Sequence, residues 1–146
     1  MPYEMVDKIH QAIEVVGDDS RFLAMGVDEL TALQSRLSVY GIHLADVISS
    51  TTKLALHAKG MLEFQCAKLW TEERMLSEQE NRRMTKDDID SVVVAKAWGY
   101  KEKLIDAEAL EKKMYVILDM LKYTINSIKD RIKVVMAERH LAPHTD

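Results

Sequence analysis

Apolar residues recur at helical spacing along almost the whole chain, and the clearest run lies between Thr85 and Leu141. There Leu110, Met114, Ile117, Leu121, Ile125, Ile128, Ile132 and Val135 follow one another at intervals of three or four. That is an a/d-like seam of the kind that packs one helix along another. Ile89, Val92 and Val93 open the apolar face, and Leu104 and Ile105 carry it through the middle. Thr85 with Asp88 three positions on predicts a capping box with acids in the first turn. No proline intervenes before Pro143, so the pattern predicts one helix over 85–141. At about 1.5 Å per residue it would span roughly 80 Å. A seam that long needs a second helix of similar length, from the same chain or from a neighbour.

The earlier part of the chain supplies candidates. Pro2 suits the first turn of a helix whose face is Met5, Val6, Ile9, Ala12, Ile13 and Val16, with Gly17 as its stop. Asp18, Asp19 and Ser20 offer a cap for a short turn through Phe22, Leu23 and Met25, closed by Gly26. This acidic segment, 1–26, either docks on the main bundle or forms a mobile partner-binding arm. An isolated helix so short is marginal in water, which favours docking. Asp28 then caps a second long helix with Leu30, Leu33, Leu37, Tyr40, Leu44, Val47, Thr51, Leu54, Ala58, Met61 and Leu62 in period. Leu69, Trp70 and Leu76 follow. Gly41 and Gly60, and Gly99 later, mark kinks or close helix approach. Ser77 to Met84 is a polar connector, and 142–146 is a frayed tail. The expected architecture is all-α, with two long antiparallel helices forming a hairpin over 27–146 after a short N-terminal segment over 1–26. The helix over 85–141 is its oligomerisation element, and the product is a homo-oligomeric helical bundle or ring.

Composition narrows the class. The 146 residues are 47% apolar and 30% charged, enough for one soluble helical domain, and nine Met against two Phe suit adaptable helix packing. The net charge of −4 excludes a protein that coats nucleic acid by charge alone. The acidity is local, however. Residues 1–50 hold eight acids and three bases, 51–83 six bases and five acids, and 84–146 eleven of each. The single cysteine, Cys66, allows no intramolecular disulfide and reads as a small packing residue in a reducing compartment. No signal-peptide pattern or long apolar run stands out, so a cytoplasmic protein is expected, in the host cytoplasm if phage-encoded, with no membrane partner.

Catalytic patterns are missing. His10, His43, His57, His140 and His144 form no metal-ligand pair on a helix face, so no metal is expected. There is neither a phosphate-binding glycine loop nor a nucleophile elbow, and acids such as Glu72 and Glu73 read as solvated helix faces. An enzyme is not expected, and no cofactor is. What remains is basic character: Lys53, His57, Lys59, Lys68, Arg74, Arg82, Arg83 and Lys86. Lys53, His57 and Lys68 recur near multiples of 3.6, and Trp70 nearby could stack on an exposed base. Two readings stay open, an ordinary solvated surface or a weak phosphate-binding patch that oligomerisation would multiply.

Two stretches resemble the UvsY family of phage recombination mediator proteins. Leu54-Ala55-Leu56-His57-Ala58-Lys59 is similar to that family's Ala-Leu-basic-Ala-basic motif, whose basic positions contribute to single-stranded DNA binding and fall here on His57 and Lys59. His57 weakens one of those charges, being mostly neutral at pH 7. Ile117-Leu118-Asp119-Met120 and Ile128-Lys129-Asp130-Arg131 resemble the family's C-terminal helix, which belongs to its oligomer-forming part. The resemblance implies a homo-oligomer that binds single-stranded DNA without sequence preference. It further implies partners: a RecA-like recombinase, loaded in place of the single-strand binding protein. The oligomer contacts would come from Leu110, Met114, Ile117, Leu118, Leu121, Ile125, Ile128, Ile132 and Val135. Two other readings compete. One is a structural or adaptor oligomer, such as a phage assembly component. The other is an inhibitor of a host enzyme that uses the acidic first 30 residues as bait.

Overall fold

The computed structural model describes residues 2–141, with side chains from Glu4 onward. These form five α-helices: α1 Pro2–Gly17, α2 Asp19–Ala24, α3 Val27–Gln79, α4 Lys86–Lys96 and α5 Trp98–Leu141. The all-α class follows directly. The expected frayed tail, with Pro143 and His144, lies outside the described residues. Two compact units emerge, one from the described residues up to and including Ile48 and from Lys113 onward, the other Ser49–Lys112. α1 and α2 belong to the first unit together with parts of α3 and α5.

The first unit holds the main core. Leu30, Leu33, Leu37, Tyr40, Leu44 and Val47 of α3 alternate intervals of three and four, which keeps one stripe of a helix facing its neighbour. Met114, Ile117, Leu121 and Ile128 of α5 are buried in the same cluster, with Leu118, Ile125, Ile132 and Val135 packed against it. Val6, Ile9 and Ala12 of α1 complete it, so the acidic first helix docks by the face its periodicity predicts. Arg131 Nη2 donates to the Leu23 carbonyl oxygen at 3.0 Å, which ties the end of α2 to α5. A Cβ on Gly41 would lie 3.5 Å from Leu121 Cδ2, an ordinary contact, so α3 approaches Leu121 closely here. The helix runs unbroken through both Gly41 and Gly60.

The caps show why the helices start and stop where they do. Asp18 accepts from the backbone amides of Ser20 and Arg21 at the start of α2. The Ser20 hydroxyl and the Arg21 amide hold its carboxyl below the usual carboxylate range. At the start of α3 the cap differs from expectation. Val27 already opens the helix, Asp28 sits in the first turn, and Glu29 Oε2 accepts from the Gly26 amide at 3.0 Å. The Thr85–Asp88 capping box is formed in full, and the Thr85 hydroxyl followed by its amide lowers the Asp88 pKa.

The second unit buries smaller and more polar side chains: Ala55, Ile89, Val93, Ala97 and Leu104 with Thr51, Glu73 and Ser77. The single helix expected over 85–141 is interrupted once. Ala97 closes α4 with φ −89° and ψ 4°, and Trp98 opens α5. Ala97 is buried, and it is followed by Trp98 and Gly99. Gly99 itself lies in the first turn of α5, two residues past the break. The connector is also shorter than expected, since α3 continues to Gln79. It ends in a Schellman turn: the Arg82 amide donates to Ser77 O at 3.0 Å and the Asn81 amide to Glu78 O at 3.4 Å. Asn81 takes φ 53°, a left-handed conformation that Asn tolerates better than most residues. The Ser77 hydroxyl donates to Arg82 O at 2.6 Å and locks the turn from inside.

Two substitutions test these features. Leu121→Ala is expected to lower unfolding free energy by about 2–5 kcal/mol in a denaturant titration. A loss below about 1 kcal/mol would mean that Leu121 is not packed in a core. Asn81→Gly is expected to be neutral or mildly stabilising, whereas Asn81→Val costs about 1–2 kcal/mol. Equal midpoints for the two variants would contradict the left-handed turn.

Candidate nucleic-acid interface

All eight basic positions singled out in the sequence belong to the second unit, and all are exposed. Their surroundings divide them. Lys68 pairs with Glu72 at 3.9 Å, Arg74 with Glu78 at 3.3 Å and Arg82 with Glu80 at 2.9 Å. Exposed pairs of this kind are weak, about 0–1 kcal/mol, and a phosphate can displace the acid. Lys59 lines a cleft of about 230 Å³ with Glu108 and Glu111, and Glu111 also accepts from the Thr52 hydroxyl at 2.6 Å. Two carboxylates beside Lys59 make it the poorest phosphate ligand of the set. Arg83 and Lys86 flank the Schellman turn and the Thr85 cap.

Lys53, His57 and Lys68 lie on the solvent face of α3, away from the stripe that carries Ala55, Glu73 and Ser77. At about 100° per residue they fall within roughly 60° of one another. Phe64 falls in the same sector, and 62% of it is exposed. The solvent face of α3 therefore reads Lys53, His57, Phe64, Lys68, an exposed aromatic ring between basic side chains. The sequence reading missed Phe64. Its signal was available, because Phe64 is seven positions after His57 and four before Lys68. His57 also borders a groove of about 370 Å³ with Leu54, Ala58, Met61, Tyr100, Lys103 and Ala107. Lys103 Nζ lies 5.7 Å from the centre of the Tyr100 ring, so this groove brings a cation and an aromatic side chain beside His57. Tyr100 and Lys103 could not be placed there from sequence, because they sit on a different helix.

Trp70, the aromatic residue singled out in the sequence, is held in place by its neighbours. Its Nε1 donates to Asp90 Oδ1 at 3.1 Å, the ring is half-buried, and the Arg74 guanidinium lies 5.6 Å from its centre. Glu73 corrects the reading of solvated acids: it is buried and bonds Lys96 Nζ. Cys66 is half-buried. No group of three His, Cys, Asp or Glu that could hold a metal occurs among the described residues. None of the described helices is long and apolar enough to cross a membrane.

The candidate oligomer contacts lie elsewhere than on a free surface. Met114, Ile117, Leu121 and Ile128 are buried by the chain's own α1 and α3, and Leu118, Ile125, Ile132 and Val135 pack around them. Leu110 alone of the set is exposed. The seam's required neighbour is thus supplied from within the chain, and Ile128→Asp would place a charge in that core. Comparison with protein-family models, curated proteins and solved structures finds no match to this chain.

Proposed function

We propose that this chain is a non-catalytic, homo-oligomeric protein that binds single-stranded DNA without sequence preference and acts as a UvsY-like recombination mediator. In this role it would hold the strand while a RecA-like recombinase replaces the single-strand binding protein. The observation that carries the DNA-binding part is the Lys53–His57–Phe64–Lys68 face of α3. Bases present aromatic faces whatever their identity, so a solvent-facing ring gives stacking without sequence choice, while flanking cations hold phosphates. The mediator part rests on the two stretches that resemble the family. The hairpin arrangement is part of the same reading. Within the second unit, contacts run from Glu73–Lys96 to Thr52–Glu111, one partner falling in number as the other rises, which supports antiparallel helices.

Each monomer site is weak, because residues 49–112 hold eleven bases against twelve acids. Useful affinity needs several copies on one strand, which is why self-association belongs to the reading. A second reading, a structural or adaptor oligomer without DNA binding, is favoured by the pairing of Arg74 and Arg82 with acids and by the carboxylates beside Lys59.

Fluorescence anisotropy with labelled poly-dT separates the two. Phe64→Ala is expected to weaken binding roughly 5- to 150-fold, the equivalent of about 1–3 kcal/mol of stacking per base. Lys53→Glu with Lys68→Glu is expected to flatten the salt dependence as well. Trp70→Phe should leave affinity unchanged. Binding that is absent in the parent protein, or indifferent to Phe64, would move the assignment to the adaptor.

A further inference from the structure

In the second unit α3 and α5 lie side by side, and the clefts on the two flanks of their contact differ in charge. On one flank Thr52, Leu56 and Lys59 of α3 meet Glu108 and Glu111 of α5. On the other, Leu54, His57, Ala58 and Met61 of α3 meet Tyr100, Lys103 and Ala107 of α5. Among the described residues no carboxylate lines this second groove, and Asp106, three positions after Lys103, stays outside it. The two basic positions of the Ala-Leu-basic-Ala-basic motif are thereby parted. His57 and Lys59 are two residues apart, about 200° around a helix. One borders the cationic groove and the other the carboxylate-lined cleft. A strand lying along α3 therefore meets one flank or the other. The sign of the charge selects between them, since phosphate is drawn to Lys103 and repelled by Glu108 and Glu111.

We infer that the groove between α3 and α5 takes one base of a bound single DNA strand, stacked on Tyr100, with Lys103 and His57 on the adjoining phosphates. This site depends on the proposed DNA binding and extends it: two residues of α5 enter, and Lys59 leaves. The groove is continuous with the Lys53–His57–Phe64–Lys68 face, because His57 belongs to both and Met61 lies next to it around α3. Its volume of about 370 Å³ is at the lower end for small-ligand sites and leaves room for a single base. Leu54, Ala58, Met61 and Ala107 give it apolar walls. Walls of this kind cover the faces of a base and do not read its edge, so any base is accepted. Tyr100 is half-buried, which holds its ring in place, and Lys103 Nζ rests 5.7 Å from the ring centre. A cation–π contact made by an exposed lysine is weak, so the ammonium can swing to a phosphate and free the ring face.

Photo-crosslinking of the full chain tests this. Oligo-dT carrying 5-iododeoxyuridine is irradiated on the protein, and adducts are located by mass spectrometry. Tyr100 and Phe64 fall in different tryptic peptides, 97–101 and 60–68, and fragmentation separates Tyr100 from Trp98. An adduct on Tyr100 is the expected result. A bound strand with no adduct on Tyr100 would overturn the groove and leave the proposed DNA binding standing. A parent protein that binds no strand would overturn both. Affinity for poly-dT gives a second readout. Lys103→Gln is expected to weaken binding more than Lys59→Gln does, and to reduce the slope of log affinity against log salt by about 0.7. The reverse order would put the strand on the other flank and contradict the groove. Tyr100→Leu keeps apolar bulk and is expected to weaken binding roughly 5- to 150-fold. Unchanged affinity in that variant would overturn the stacking.

Discussion

Everything in this structure depends on where the heptad seams of α3 and α5 are buried. A helix of forty or fifty residues has little independent stability in water, and its persistence rests on covering an apolar stripe. In the first unit Leu30, Leu37 and Leu44 of α3 cover Leu121 and Ile128 of α5, and Ile9 of α1 closes the cluster. The six largest fully buried side chains all belong to this unit. At about 1.5–3 kcal/mol for each buried Leu or Ile, they supply much of the drive to fold. The second unit buries mostly small or polar groups, so its helices rely more on specific bonds: Thr52 with Glu111, Trp70 with Asp90, Glu73 with Lys96.

That division of labour bears on function. Because the core is satisfied within the chain, interactions with other molecules fall to the outward faces. One of those faces carries organised side chains. The solvent face of α3 in the second unit interleaves Lys53, His57 and Lys68 with the exposed Phe64 ring.

Much of the local structure was legible in the residues. The Thr85–Asp88 box, the stop at Gly17 and the cap at Asp18 all depend on contacts within a few positions, and sequence spacing reports such contacts well; the docking face of α1 showed instead through its helical period. The break at Ala97 was only half legible: Gly99, two residues on, signals a kink or a close approach, but the absence of proline predicts one continuous helix. The destination of the Leu110–Val135 stripe was not legible, because periodicity names a buried face without saying which chain covers it. The setting of Trp70 was hidden for a related reason: only the fold shows Asp90, twenty positions on, holding its indole. Phe64 escaped attention because its value lies in exposure, which an amino-acid pattern does not display. Tyr100 and Lys103 reach the groove beside His57 only through the packing of separate helices.

The most direct test of the account is whether the long helices survive without a partner chain. Sedimentation velocity and far-ultraviolet ellipticity would be recorded together over a wide dilution series. If the α5 seam is covered from within, any oligomer should dissociate to monomers that keep the same ellipticity per residue and unfold cooperatively. Helix content that falls in step with mass would contradict this, and would place the seam between chains.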